Sequence, residues 1–490
     1  MQTQMSLLFF AGDVVYKVKK PVNLGYVDYS TLDARLRFCE QEVTLNRRLC
    51  ADAYLGVVPI VMRGDSFLVE ADGEPVEYAV KMRRLPQERT LDHLVSAGSA
   101  TVDMMQAIAA RVAAFHASAA SSEEISAYGA IEAIRRNTDE NFEQTLPVID
   151  RTIRRADHDR LRAFTDGFLD EHAQLLRDRV ANRRIRDCHG DLHAAHVCVT
   201  DGICIFDCIE FNDRFRYGDV ASEVAFLAMD LDRMARGDLS REFVAAYTRA
   251  SADDGIATLL PFYCCYRAFV RGKVNGFRLA DALVPEEEKR AALWLARGYF
   301  ELAKSYTTGR GLLVVMSGVT GSGKSTVASA LGPLLAGRII SSDVVRKELA
   351  GLPVAEHRYV PYGSGIYSPE RTRKTYEEML RRAEPVLAAG GCAILDAAFL
   401  RADERRRAQD VALRHGSRAV VVECAAPHDV VLRRLKERQA KGTISDGRPE
   451  ILERQLPGFE PVTEFAPEDH LKVDASRATE DILEEIWRKL

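Results

Sequence analysis

Gly318-Val319-Thr320-Gly321-Ser322-Gly323-Lys324-Ser325-Thr326 is the stretch on which the fold of the second half of this chain turns. Gly318 and Gly323 bracket a turn and Lys324-Ser325 follow it, the spacing of a phosphate-binding loop. Glycines let the N–H groups of residues such as Thr320, Gly321 and Ser322 curl around a phosphate. Lys324 can reach the β and γ oxygens, and the Ser325 hydroxyl can hold Mg²⁺. The flanks fit: Leu312-Leu313-Val314-Val315-Met316 reads as a buried strand and Thr326 to Leu331 as the start of a helix. ATP with Mg²⁺ is the ligand this implies.

Outward from the loop, strand candidates Leu312–Met316, Arg338–Ser342, Ala393–Leu395, Ala419–Cys424 and Leu471–Val473 alternate with charged helical stretches such as Pro369–Leu387. That alternation predicts an α/β domain with a five-stranded parallel sheet and helices on both faces. Ligands of such sheets lie beyond the carboxyl ends of the strands. Asp343, read as the end of Ile339–Asp343, is therefore expected to face the γ-phosphate, with Arg346 one turn further on. Asp396 ends Cys392–Asp396 and is the second acidic group expected near Mg²⁺. Arg434 and Arg438 share a helix face and are expected over the phosphates, whereas Arg405-Arg406-Arg407 reads as plain helix surface.

The polar stretch Ser305 to Gly311 marks the expected boundary, giving domains 1–305 and 311–490. In the first of these, strand-like pieces (Leu7–Phe10, Val14–Lys19, Val57–Met62, Ser66–Glu70, Tyr78–Lys81) cluster ahead of helix-rich sequence. A small sheet lobe followed by a helical lobe is expected.

Composition narrows the partners. The 490 residues carry a formal net charge of −5, so no global field favours polyanions and no extended nucleic-acid surface is expected. Ten cysteines in so long a chain are not a disulfide framework. The apolar run Leu7–Ala11 is far too short for a bilayer. A reduced, cytoplasmic protein with no membrane partner is the expectation.

Asp187-Cys188-His189-Gly190-Asp191-Leu192-His193-Ala194-Ala195-His196, followed by Ile203-Cys204-Ile205-Phe206-Asp207, is the second informative stretch. It resembles the catalytic core of the aminoglycoside phosphotransferase and choline kinase group, which shares the two-lobed protein-kinase fold. The resemblance implies Asp191 as the group that accepts a hydroxyl proton and Asp207 as a metal ligand. It also implies a small-lobe lysine held by a helical glutamate. Lys17 is the first choice and Lys19 the second. Ser30-Thr31-Leu32-Asp33 looks like a capping box opening a helix through Leu49, and Glu42 lies inside that helix.

Two features depart from that family. His196 stands where an asparagine metal ligand follows the catalytic Asp by five positions, and imidazole is a poor Mg²⁺ ligand. Asp207 then carries the metal mostly alone, or His196 contacts phosphate, or the site is weakened. Only six residues precede Leu7, so the phosphate-covering loop is expected to be short or missing. The neighbouring Cys188, His189, His193, Cys198, Cys204 and Cys208 show no usual zinc spacing.

Cys208 to Phe215 and Tyr266 to Lys273 extend the resemblance to bacterial two-domain proteins in which this domain is fused to a C-terminal phosphate-loop kinase. The C-terminal domain is similar to chloramphenicol phosphotransferase and polynucleotide 5′-hydroxyl kinases. That likeness implies that Asp343 activates a substrate hydroxyl, that Arg346 binds the acceptor, and that Arg434 and Arg438 form a lid. The function implied is an ATP-dependent phosphotransferase acting on a small-molecule or nucleotide hydroxyl. A second reading makes the N-terminal lobe a ligand sensor that gates a C-terminal ATPase.

Overall fold

Val15, Lys17 and Lys19 share one side of a strand because successive side chains alternate, and this face carries the first lobe's chemistry. The computed structural model describes residues 1–282, 284–353, 363–441 and 448–490, with side chains throughout except at 438–441. Strands β1 (Ser6–Ala11), β2 (Val14–Lys19), β3 (Tyr54–Arg63), β4 (Ser66–Val69) and β5 (Pro75–Arg83) form an antiparallel sheet in the order β1-β2-β5-β3-β4. Helix α1 (Leu32–Cys50) is capped by Thr31, whose side chain accepts from the Ala34 N–H. It packs Cys39 and Val43 against Tyr54 and Val80. Ahead of β1, Gln2 bridges to Leu7 and the Thr3 N–H donates to the Ser6 carbonyl at 2.8 Å. A tight turn through Thr3 to Ser6, which holds no glycine, thus leads into β1.

Helices follow the sheet, including Val102–Ser118, Val220–Arg233, Gly237–Ser251 and Ile256–Phe277. Between them the paired short strands Val197–Val199 and Ile203–Ile205 carry the segment from His189 to Asp207. Cys50 at the end of α1 and Cys204 in the second of these strands form a disulfide. This corrects the expectation of a wholly reduced chain, although the other cysteines are free and buried. A separation of 154 residues is closed by packing of the helix end on the strand, which no local spacing reveals.

The C-terminal sheet is wholly parallel, in the order Arg338–Ser341, Cys392–Asp396, Leu312–Ser317, Arg418–Ala425, His470–Asp474. Its apolar runs are continuous because both faces are covered. Val314, Met316, Ile394, Val420 and Val422 face one core with Val327, Leu331 and Trp487. Leu313, Val315, Ala393, Leu395 and Val421 face another with Met379, Leu387 and Phe399.

By contacts the chain forms two compact units, residues 1–143 with 163–267 and residues 144–162 with 268–490. The polar stretch 305–311 lies inside the second unit. The reason is packing: Arg297, on the helix Glu286–Thr308, sits 3.9 Å from the centroid of the Trp487 ring and pairs with Glu484, while Arg154 donates to the Trp487 carbonyl at 2.6 Å. Among the described residues no helix is long and apolar enough to cross a membrane.

Candidate active sites

In the N-terminal unit β2 and α1 meet over one carboxylate. Glu42 is fully buried, with Oε1 2.8 Å from Lys17 Nζ and Oε2 2.7 Å from Lys19 Nζ. Lys17 also reaches Asp207 Oδ1 at 2.6 Å, whereas Lys19 turns inward to Glu210, which also accepts from Tyr29. The two lysines therefore divide: Lys17 joins α1 to Asp207, and Lys19 is a buried strut. Desolvation opposes the charge on Lys17, yet Asp207 and Glu42 hold its ammonium well above the ordinary value. Desolvation would likewise raise Asp207, but Lys17 and His196 keep its carboxyl below the usual range. Asp207 has a φ of 63°, a left-handed conformation rare outside glycine, and its N–H donates to the Tyr54 hydroxyl at 3.1 Å.

The loop that carries Asp191 is hung on groups that sequence spacing did not single out. The buried Glu223 accepts from the backbone N–H groups of His189 and Gly190 at 2.7 to 2.9 Å, and His116 Nε2 lies 2.9 Å from its other side. Burial would raise Glu223, but the hydrogen bond from His116 and these amides hold it down at about 2. Asp230 accepts from the Ala194 N–H at 2.9 Å. Gly190 has a φ of 88°, and a Cβ there would sit 2.9 Å from the Phe215 carbonyl oxygen, so no other residue fits without movement. A carboxylate facing main-chain amides from 33 or 34 positions away leaves no local signature.

At the mouth of this site Asp191 Oδ2 lies 3.4 Å from His196 Nδ1 and 3.6 Å from His193 Nε2, and His196 Nε2 lies 3.5 Å from Asp207 Oδ2. Burial, helped by the neighbouring His193, pushes His196 down to about 4, so its ring is neutral near pH 7.

In the C-terminal unit the loop after the central strand begins at Gly318 with a φ of 140°, and Gly321 and Gly323 have φ of 76° and 101°. A Cβ would meet the Cys424 carbonyl oxygen at 2.5 Å from Gly318 and Leu435 Cγ at 2.8 Å from Gly321. This is a cradle in which only glycine fits. Gly323 caps the helix Lys324–Leu335, whose first N–H groups and dipole favour an anion. Ser322 is buried and its Oγ makes no hydrogen bond. Lys324 Nζ donates to the Val319 carbonyl at 2.7 Å, and Ser325 Oγ donates to Asp396 Oδ1 at 3.2 Å. These residues fit a triphosphate with a divalent cation at the Ser325–Asp396 pair. A cleft beside the loop is lined by Gly323, Thr326, Arg434, Ala475 and Arg477. The Thr320 N–H donates to Gln455 Oε1 at 2.7 Å, a contact from the helix Pro449–Gln455 that motif reading missed.

Four expectations need correction or narrowing. The second strand stops at Ser341 and a helix starts at Ser342, so Asp343 lies in a first helical turn and not at a strand end. Arg346 is buried, donates to the Ile366 carbonyl at 3.0 Å and Thr372 Oγ1 at 3.1 Å, and stacks on Tyr367. As placed it holds the 365–372 segment through Nη1. Arg434 donates to the Ala475 carbonyl at 2.8 Å, leaving its Nη1 buried without a hydrogen bond next to Gly323. Arg438 lies in the helix His428–Lys441, and its side chain is outside the described residues. Arg405 is no surface residue: it is fully buried, pairs with Glu464, and donates to the carbonyls of Phe399, Leu400, Glu460 and Pro461. Of three consecutive arginines on a helix one faces inward, and burial is tolerated because nearly every donor is met.

Residues 67–262 match the phosphotransferase enzyme family and residues 313–462 match an AAA domain. With the geometry above, this defines the class: a kinase-fold phosphotransferase domain joined to a phosphate-loop domain of kinase type. An uncharacterized protein of Mycobacterium tuberculosis (strain ATCC 25618 / H37Rv) is 33% identical over 455 residues, covering 92% of this chain and 88% of that protein. The chain belongs to the two-domain family of which that protein is a member. A shikimate kinase of Bradyrhizobium diazoefficiens is 28% identical over 154 residues, 31% of this chain and 68% of that one. The solved gluconokinase of Sinorhizobium meliloti 1021 is 21% identical and covers 37% of this chain and 91% of its own, with a TM-score of 0.28. A score that low carries no argument about an acceptor.

Proposed function

We propose that the chain is an ATP-dependent kinase whose C-terminal module, residues 311–490, moves the γ-phosphoryl group of ATP to a hydroxyl of a small molecule or nucleotide. The observation that carries this reading is the Ser325–Asp396 contact at 3.2 Å, set at the start of the helix that Gly323 opens. Ser325 and Asp396 would hold Mg²⁺, which neutralises charge on the β and γ oxygens. The N–H groups of Gly321 and of Gly323 to Thr326 cradle the phosphates, and Lys324 exchanges the Val319 carbonyl for a phosphate oxygen. Arg434, whose Nη1 lies beside Gly323, adds positive charge where the transition state gathers negative charge. Asp343 takes the hydroxyl proton as the acceptor attacks in line.

The N-terminal module, residues 1–305, supplies a second phosphoryl-transfer centre in this reading. Lys17, oriented by Glu42, binds phosphate oxygens, Asp207 binds the metal, and Asp191 receives the proton. The C-terminal proposal is tested on the full-length chain by following ADP release with ATP, Mg²⁺ and a panel of hydroxyl acceptors. Asp343→Asn and Lys324→Ala are each expected to lower acceptor-dependent turnover by about 100-fold or more. Turnover that ignores the acceptors and is unchanged in Asp343→Asn would remove the transferase reading.

A further inference from the structure

The two nitrogens of His196 face different groups, and this fixes what each can do. Nδ1 lies 3.0 Å from the backbone carbonyl oxygen of Asp191. A carbonyl oxygen only accepts, so Nδ1 carries the ring hydrogen. When the ring is neutral, as it is in any metal-bound imidazole, Nε2 has a bare lone pair, and 3.5 Å in front of it stands Asp207 Oδ2, which also only accepts. Two acceptors facing one another make no hydrogen bond. They are, however, spaced as neighbouring ligands of one cation, since donors at about 2.0–2.2 Å from a metal lie roughly 3–3.5 Å apart.

Both donors are held in place. Asp207 is fixed through Oδ1 by Lys17 at 2.6 Å and through its N–H by Tyr54, and it keeps its left-handed backbone. The His196 ring lies against His193, with centroids 4.0 Å apart, and near Phe206. An imidazole that donates its other N–H to a carbonyl is in the arrangement that orients ligating histidines. Asp191, His193 and His196 also bring ligand atoms within 4.8 Å of one another. The His196 nitrogen that lies 3.4 Å from Asp191 Oδ2 is Nδ1, which the Asp191 carbonyl has already engaged.

We propose that Asp207 Oδ2 and His196 Nε2 form a mixed oxygen–nitrogen site selective for a first-row transition divalent cation such as Mn²⁺, in place of the all-oxygen Mg²⁺ site that the resemblance implied. The inference rests on the reading of the N-terminal module as a nucleotide site, whose phosphate oxygens complete the coordination. Mg²⁺ demands oxygen and sheds water reluctantly, whereas affinity for an imidazole nitrogen rises along the series from Mn²⁺ toward Cu²⁺.

The test uses Mn²⁺ as probe with the full-length chain, with and without a non-hydrolysable ATP analogue. Pulsed electron paramagnetic resonance is expected to show ¹⁴N coupling from a bound imidazole in at least one of these arms, and to lose it in His196→Asn and His196→Gln. Mn²⁺ affinity relative to Mg²⁺ should fall about 10- to 100-fold in His196→Asn. Absence of nitrogen coupling in both arms of the unaltered chain overturns the proposal, as does coupling that persists in His196→Asn. Lys324→Ala alters the C-terminal loop alone, so phosphoryl transfer that is unchanged in this variant, with coupling retained, would count against C-terminal catalysis and leave this site standing.

Discussion

Glu223→Gln is expected to loosen the loop that carries Asp191 while preserving the shape of its support. Glu223 accepts from two main-chain amides at 2.7 to 2.9 Å and faces His116 at 2.9 Å, all buried. An amide in its place keeps one acceptor oxygen but turns an NH₂ toward a second donor, and it removes the charge that strengthens these bonds. Removing one side of such a buried arrangement costs about 3–5 kcal/mol. The acid limb gives an independent check. The folded-state value of about 2 lies below the ordinary 4.5. The unfolded chain therefore binds this proton more readily, and the stabilisation is fully present above about pH 4.5. It is lost as pH falls through about 2, a change of roughly 3 kcal/mol. Urea unfolding of the full-length protein from pH 2 to 7, with hydrogen exchange at the Gly190 amide, reads both effects. The variant should unfold earlier near pH 7, and the contribution of this group to acid sensitivity should vanish. A Gln variant within 1 kcal/mol of the unaltered protein, with an unchanged acid limb, would refute the assignment of Glu223 as the anchor of the loop.

Gly321→Ala puts a methyl 2.8 Å from Leu435 Cγ at a φ of 76°; a strain of about 1–3 kcal/mol should fall on the loop, and ATP titration should show affinity reduced about tenfold or more. Arg405→Ala leaves Glu464 and four carbonyls without their buried donor, and thermal unfolding should report a loss of about 3–5 kcal/mol. Cys50→Ser opens a loop of 154 residues and should lower the stability of the N-terminal unit by about 2–5 kcal/mol. Dithiothreitol should bring the unaltered protein to the same denaturation midpoint, and a midpoint insensitive to both would exclude the disulfide.

The sequence by itself determined the features whose physics is local. A phosphate-binding loop is built from consecutive amides, so the residues from Gly318 to Ser325 announce it in a single stretch. The alternation of apolar runs with charged helical segments announced a parallel sheet, because strands covered on both faces must be apolar throughout. The two lysines of β2 were visible together because strand geometry puts alternate residues on one face. Tertiary structure alone decided what each side chain meets. It shared Glu42 between Lys17 and Lys19, buried Arg405 but not its two neighbours, and tied Arg346 to the Ile366 carbonyl. It brought Cys50 to Cys204, and it aimed one nitrogen of His196 at a carbonyl and the other at Asp207. Such contacts join residues far apart in the chain, and what fixes them is the packing of elements onto one another, which no window along the sequence contains.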